Sequence, residues 1–201
     1  NGAVTALRDR LLDDLKREGL PTRRVEAWHY TDLKNLLRNI PAQAGDAGSE
    51  ALEPLVEGSP VLSVIQGKAA NKASAGDLQV FPYSEKLIDG SAAAGLDALG
   101  NDDAVGRING SFVKDGYVVE VPEGTELEEP LEIQFIHAGG DVHTRLPVAF
   151  GANVKGVVIE RHQSVTDNAA LVSHVSEITV GQGTELTWII LQQQGADDTH
   201  L

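Results

Sequence analysis

The chain has 201 residues, of which 41% are hydrophobic and 4% aromatic, and its formal net charge is −14 at pH 7. This length allows one domain or two small ones and is enough to bury a core. The acidic excess lies beyond residue 40 and disfavours nucleic acid and anionic membranes as partners, because both would repel it. The absence of cysteine excludes disulfides, thiolate metal ligands and cysteine nucleophiles within these residues.

The sequence also lacks the segments that carry a protein to or through a membrane. No apolar run approaches the roughly 20 residues that a spanning helix needs. The first residues contain no apolar signal-peptide core. The sequence therefore predicts a cytoplasmic protein that does not associate with a membrane.

The first 40 residues predict a small helical unit. Apolar residues recur there at three- and four-residue steps, which places one apolar stripe on a helix of about four turns. These residues are Val4, Leu7, Leu11 and Leu15. Gly19 and Pro21 are expected to end this helix, and Thr31 or Asp32 to cap a second, shorter one. The inward-facing residues predicted for the second helix are Leu33, Leu36, Leu37 and Ile40.

Two segments follow the helical unit. Residues 41–60 are rich in Ala, Gly, Glu and Pro and predict a linker. Residues 61–116 predict a mixed α/β segment, whose expected elements are strands at 61–65 and 78–81 and a helix at 102–114. Within that helix, Asn109-Gly110-Ser111 matches the sequence pattern of a glycosylation acceptor. Because no secretory signal accompanies it, we interpret it as a flexible or helix-breaking spot.

Residues 117–201 predict one strand after another at a spacing of about 10 to 15 residues, which is typical of an all-β solenoid, sandwich or barrel. The predicted strands are 117–121, 131–137, 147–150, 156–161, 171–180 and 185–192. Around residue 133 apolar residues alternate with the polar Glu132 and Gln134. In 157–159 and 189–191 the apolar runs are continuous, as expected where both faces of a strand are covered. This periodicity leaves a β-helix and a sandwich equally open.

The segment between the two predicted N-terminal helices has no period of either 2 or 3.6, and it holds two of the few aromatic residues. Its notable residues are Pro21, Arg24, Glu26, Trp28, Tyr30, Thr31 and Leu33. They resemble a signature of the SufB/SufD family of iron-sulfur cluster assembly proteins. Further similarity lies at 108–124 and, in the strand region, at Asn168, Val175, 177–180, Gly183, Leu186 and 192–194. The resemblance thus spans most of the chain.

The resemblance implies a mainly β protein, in which a small α N-terminal unit and a mixed α/β segment precede the start of a right-handed parallel β-helix. It implies a non-enzymatic scaffold subunit of the SUF system that pairs with SufB-like and SufC-like subunits, the latter an ATPase; self-association stays open. The complex builds iron-sulfur clusters, but we expect this chain to bind no cofactor. Because no cap closes the last strands, we expect the chain to be the N-terminal half of a longer protein.

The six histidines of the chain are candidates for metal ligands or catalytic groups. His137 and His143 flank Asp141 in a Gly-rich stretch that we interpret as a solvated loop. His162 and His174 fall on successive predicted strands, and we interpret them as an incidental surface pair. The sequence therefore predicts no metal site and no catalytic residue.

Two function classes remain as alternatives. The first is a β-helix carbohydrate-active enzyme that uses the acidic segment 120–132, since two suitably spaced carboxylates perform glycosidase chemistry. The acids of this segment are Glu120, Glu123, Glu126, Glu128, Glu129 and Glu132. The second alternative is a generic acidic interaction module.

The signature residues Arg24, Glu26, Trp28 and Tyr30 are the candidate structural or interface anchors. Trp, Tyr and Arg are typical of interface hot spots. We favour a structural role, in which Trp28 and Tyr30 pin the linker against the helices because a small unit has little other apolar mass to bury.

Overall fold

The computed structural model describes residues 1–41, 46–48, 50–70, 78–97 and 103–201. In these residues the helices are α1 (Gly2–Glu18), α2 (Leu33–Leu36), α3 (Tyr83–Asp89) and α4 (Ala104–Phe112), with 3-10 turns at Glu26–Trp28 and Ala94–Leu96. The strands are β1 (Val61–Ile65), β2 (Lys68–Ala69), β3 (Gln79–Pro82), β4 (Asp115–Val121), β5 (Leu131–His137), β6 (Gly140–Phe150), β7 (Lys155–Ser164), β8 (Ala170–Val180), β9 (Glu185–Gln193) and β10 (Thr199–His200). None of the helices in this part of the chain is long and apolar enough to cross a membrane.

The strands form two sheets with the orders β2-β1-β5-β7-β9 and β10-β8-β6-β4-β3. Only the β1–β2 and β3–β4 pairs of these sheets are antiparallel. From β4 onward successive strands alternate between the sheets, so each strand pairs in parallel with the strand two further along. The protein is therefore a mixed α/β fold with two mostly parallel sheets, which confirms the predicted combination of many strands with helices.

The main apolar core fills the space between the two sheets. Its buried members come from both, and they include Leu62, Val64, Tyr117, Val119, Leu131, Ile133, Leu146, Val148 and Val158. Alternate residues of each strand point into this core, as the pleat of a strand requires. Polar side chains that point into this apolar interior therefore need an explanation.

The irregular segment 50–57 covers the outer face of the first sheet. The backbone N–H of Leu52 donates to Gln134 Oε1 at 2.8 Å, and that of Leu55 donates to Glu132 Oε2 at 2.7 Å. Both acceptor residues are fully buried. The polar face inferred from the alternation around residue 133 is therefore covered, because backbone amides without strand partners donate hydrogen bonds to these side chains.

Helix α4 covers the outer face of the second sheet. The Asn109 side chain donates to the carbonyl oxygens of Thr144 at 3.0 Å and Ser173 at 3.2 Å, and its Oδ1 accepts from Arg145 Nε at 3.0 Å. Asn109-Gly110-Ser111 is thus buried within a helix, and the interpretation as a flexible spot was wrong. The reason is tertiary packing: a Cβ at position 110 would overlap the carbonyl oxygen of Leu96, so only glycine lets these backbones approach.

Helix α1 ends and helix α2 begins as expected. Gly19 closes α1 with a φ of 72° and donates its N–H to Leu15 O at 2.9 Å. Asp32 Oδ1 caps α2 by accepting from the N–H of Asn35 at 3.0 Å. However, α2 is only one turn long. Its apolar stripe therefore does not reach Ile40, which is exposed. The predicted domain boundaries at residues 40, 60 and 116 stay predictions.

The strand predictions are confirmed except at β6, which begins seven residues before the predicted start at 147. The missed half contains the polar residues His143, Thr144 and Arg145, which are buried. Helix α3 was also not predicted. In α4, Ile108 is buried, but Phe112 is exposed.

The two leucines at the ends of α2 provide a test of its packing. Leu33 is 0% exposed and packs with Ala104 and Ile108, whereas Leu36 is 45% exposed. We expect Leu33→Ala to lower the free energy of unfolding by about 2–5 kcal/mol, because it leaves a cavity. Leu36→Ala is expected to change it by no more than about 0.5 kcal/mol. Urea denaturation measures both, and equal effects would contradict the described burial.

Candidate functional site

The signature segment between α1 and α2 contains the four candidate anchors. Trp28 packs against the cluster of Leu33, Ala104 and Ile108. Tyr30, in contrast, is 92% exposed and contacts His29 edge-on at 5.0 Å between ring centroids. Arg24 and Glu26 are also exposed. Trp28 therefore helps to hold the helices, but Tyr30 does not pin the linker against them.

A polar cluster interrupts the apolar interior between the sheets. Glu160 and His162 lie two residues apart on β7 and point inward beside the buried Val158, while His174 and Ser176 reach the same place from β8 of the opposite sheet. Glu160 and His162 are 2% exposed, and the side chain of His174 is 6% exposed. We refer to Glu160, His162 and His174 as the interior triad.

The triad is built around one oxygen of Glu160. Oε1 lies 2.7 Å from Nε2 of His162 and 3.2 Å from Nε2 of His174. The other oxygen, Oε2, accepts hydrogen bonds from Trp188 Nε1 at 2.9 Å and from the Ser176 hydroxyl at 3.2 Å. The two oxygens of one carboxylate are thus divided between the two imidazoles and two neutral donors.

Residues around the triad hold its imidazole rings in place. Nδ1 of His174 lies 2.8 Å from the Thr144 hydroxyl. Phe135 stacks on His162 at 5.0 Å and contacts His174 at 4.2 Å between centroids. Nδ1 of His162 is buried and has no hydrogen-bond partner among the described residues. Both His174 and the Glu160 carboxylate therefore have fixed orientations, whereas one nitrogen of His162 is unpaired.

His200 of β10 extends the cluster. Its ring centroid is 4.7 Å from that of His162, and its Nδ1 lies 2.9 Å from Gln192 Nε2 and 3.0 Å from Gln194 Nε2. The cluster thus continues from the triad toward the less buried side chains of β9 and β10.

The protonation states of the cluster follow from burial and contact. Burial raises the pKa of Glu160, but the hydrogen bonds from His162 and His174 outweigh it, so the pKa lies well below its ordinary value. Burial lowers the pKa of His174. Burial, followed by the neighbouring His162, lowers the pKa of His200 to about 4. At neutral pH the cluster therefore combines an ionised carboxylate with neutral His174 and His200.

The sequence interpretation of these histidines was wrong. His162 and His174 contact each other, with 4.9 Å between ring centroids, but in the interior and not on the surface. The period-2 spacing of Glu160 and His162 was the only signal in the sequence. It could not show which face of β7 is inward, because that depends on how β7 pairs with β5 and β9.

His137, Asp141 and His143 do not form one site. His143 and Asp141 are 2.8 Å apart on the outer side of β6, where His143 also lies 2.6 Å from the Ser173 hydroxyl. His137 contacts Gln194 Oε1 at 2.9 Å at the end of β5. Both histidines are buried on strands, so the predicted solvated loop was wrong for them.

The acidic segment 120–132 is mostly exposed and surrounds the connection between β4 and β5. Glu132 is the buried member, and it contacts Arg161 at 3.4 Å as well as the segment 50–57. Glu132 is therefore part of the covered outer face of the first sheet.

In comparisons with known proteins, no family model matches the chain, and no curated protein matches it. The resemblance of the signature segment to the SufB/SufD family therefore stays a prediction.

Proposed function

We propose that the protein is a non-catalytic scaffold subunit of a SUF-type iron-sulfur cluster assembly complex. It is a SufD-like protein that pairs with a SufB-like subunit and a SufC-like ATPase in the cytoplasm. In this proposal, the two mostly parallel sheets are the start of a right-handed parallel β-helix, and the N-terminal helices pack beside it.

The order of the strands carries this proposal. From β4 onward, residues opposite each other on neighbouring parallel strands are about 30 positions apart: Leu131 pairs with Val158, and Val158 pairs with Trp188. Thr144 pairs with His174 in the other sheet. Stacked coils of similar length produce such a pattern in solenoid proteins. The strand order and the N-terminal signature are separate features, and both support a member of the SufB/SufD family.

The lack of cysteine supports a structural role for this chain in the complex. Iron-sulfur clusters are mostly held by cysteine thiolates, and these 201 residues contain none. We therefore assign no cluster ligand to this chain. Its contribution is a rigid two-sheet body on which subunits assemble.

Co-purification tests the proposed function. The tagged full-length protein is expressed with the SufB-like and SufC-like subunits of the same organism and passed over a size-exclusion column. We expect the three proteins to elute together in a fixed ratio. They should stay together at several-fold higher salt, because screening removes the long-range attraction of an acidic protein but not a specific interface. Separate elution at micromolar concentrations would contradict the proposal.

A further inference from the structure

We infer that Glu160, His162 and His174 bind one divalent transition-metal ion, such as Zn²⁺ or Fe²⁺, between the two sheets. This site is independent of whether the protein works in cluster assembly. The ligand atoms are Oε1 of Glu160 and Nε2 of both histidines. Two imidazoles and a carboxylate are a donor set that both zinc and non-haem iron use, with further positions open.

The spacing of the three atoms fits one ion. Zinc binds imidazole nitrogen and carboxylate oxygen at about 2.0–2.2 Å, so two ligand atoms at a tetrahedral angle are about 3.4 Å apart. Glu160 Oε1 lies 2.7 Å and 3.2 Å from the two nitrogens, and all three atoms are within 4.8 Å of one another. Side-chain shifts of less than about 1 Å bring them to coordination distance.

Outer contacts hold the side chains of Glu160 and His174 in place. Trp188 and Ser176 occupy Oε2 of Glu160, so Oε1 remains for the ion. The Thr144 hydroxyl contacts Nδ1 of His174, on the opposite side of the ring from Nε2, while Nε2 itself lies 2.7 Å from the Ser176 hydroxyl, a contact that an ion would replace. Outer partners of this kind orient the ligands in metal sites.

The charges in the cluster also favour a cation. Glu160 is a buried carboxylate in an interior that is otherwise apolar, and a buried charge is costly unless it is compensated.

A network held by hydrogen bonds alone is the competing explanation. Such networks stabilise a core when every buried member is paired. Here Nδ1 of His162 has no partner within the described residues, so hydrogen bonding does not account for both nitrogens of that ring. Coordination through Nε2 leaves Nδ1 equally unpaired, so the spacing of the three ligand atoms carries the assignment, and Co²⁺ binding decides between the two explanations.

Cobalt binding tests the site, because Co²⁺ replaces Zn²⁺ at nitrogen and oxygen ligands and its visible absorption reports a low coordination number. The purified protein is titrated with Co²⁺ both in the folded state and during refolding from urea, since the site is buried. We expect one Co²⁺ per chain, displaced by one Zn²⁺. We also expect Zn²⁺ to raise the melting temperature, because an ion that binds only the folded state stabilises it.

Four variants distinguish the site from adventitious binding. Glu160→Gln and His174→Asn each remove a ligand and are expected to weaken Co²⁺ binding at least 100-fold. Trp188→Phe removes an outer partner only and is expected to weaken it about 10- to 100-fold. The matched control is the double variant Asp141→Asn/His143→Asn, which removes an Asp–His pair with a 2.8 Å contact on the outer side of β6 and should bind Co²⁺ as the parent does.

Failure to bind Co²⁺ in both protocols would overturn the site and leave a hydrogen-bonded network only. Equal affinity in the ligand variants and the control would overturn it as well. If a ligand variant does not fold, Trp188→Phe decides, because it retains all three ligands: an unchanged affinity there would contradict the assignment.

Discussion

Replacing Gly116 by alanine is expected to destabilise the protein by about 4 kcal/mol or more, or to prevent folding. Gly116 lies in β4 with a φ of 150° and pairs with Arg145 of β6. A Cβ at this position would overlap the carbonyl oxygen of Arg145. This oxygen belongs to the backbone of a central strand, so neither strand can move away without losing its pairing.

Gly124→Ala is the matched control for this prediction. Gly124 also has a positive φ, 72°, but a Cβ there would have no neighbour within 4 Å. Its substitution costs only the backbone strain of the left-handed region, about 1–2 kcal/mol. Urea denaturation followed by circular dichroism compares the two. A Gly116→Ala protein as stable as the control would show that β4 and β6 are not as closely paired as described.

Asn109→Ala is expected to lower the free energy of unfolding by about 3–5 kcal/mol, because it leaves buried polar groups unpaired. The amide side chain bonds the carbonyl oxygens of Thr144 and Ser173 and accepts from Arg145. Arg145 is itself almost completely buried. Asn35→Ala, at an exposed position of α2, is the control and should change stability by no more than about 0.5 kcal/mol.

A double-mutant cycle separates the Asn109–Arg145 contact from the other bonds. If the two side chains stabilise each other, Arg145→Met in the Asn109→Ala background costs less than in the parent by about 0.5–3 kcal/mol. Additive effects would show that α4 is held to the sheet by the carbonyl contacts alone.

The sequence predicted elements well where hydrophobic pattern and local signals agree. β5 has the predicted bounds, since its alternation continues through the whole strand. The first half of β6 was missed because His143, Thr144 and Arg145 resemble a loop. They are buried only because α4 covers them with Asn109, and a contact between residues so distant in sequence leaves no periodic signal.

The interior triad could not be predicted for a related reason. Glu160 and His162 share one face of β7 by period alone, but His174 joins them from the opposite sheet. This meeting depends on the pairing partners of β7 and β8 together. The signature segment, although distinctive in sequence, contributes one packed aromatic, Trp28, and one exposed aromatic, Tyr30.

The alternation of strands between the sheets has a consequence for folding kinetics. From β5 onward no strand pairs with its neighbour in sequence, so these strands cannot form by local hairpins. The parallel partners are about 30 residues apart along the chain. Contacts of such separation slow folding, because loop-closure entropy is lost before the contacts form. During synthesis, each strand therefore remains an open edge until two more have left the ribosome, and the sheets grow in chain order from the N-terminal end.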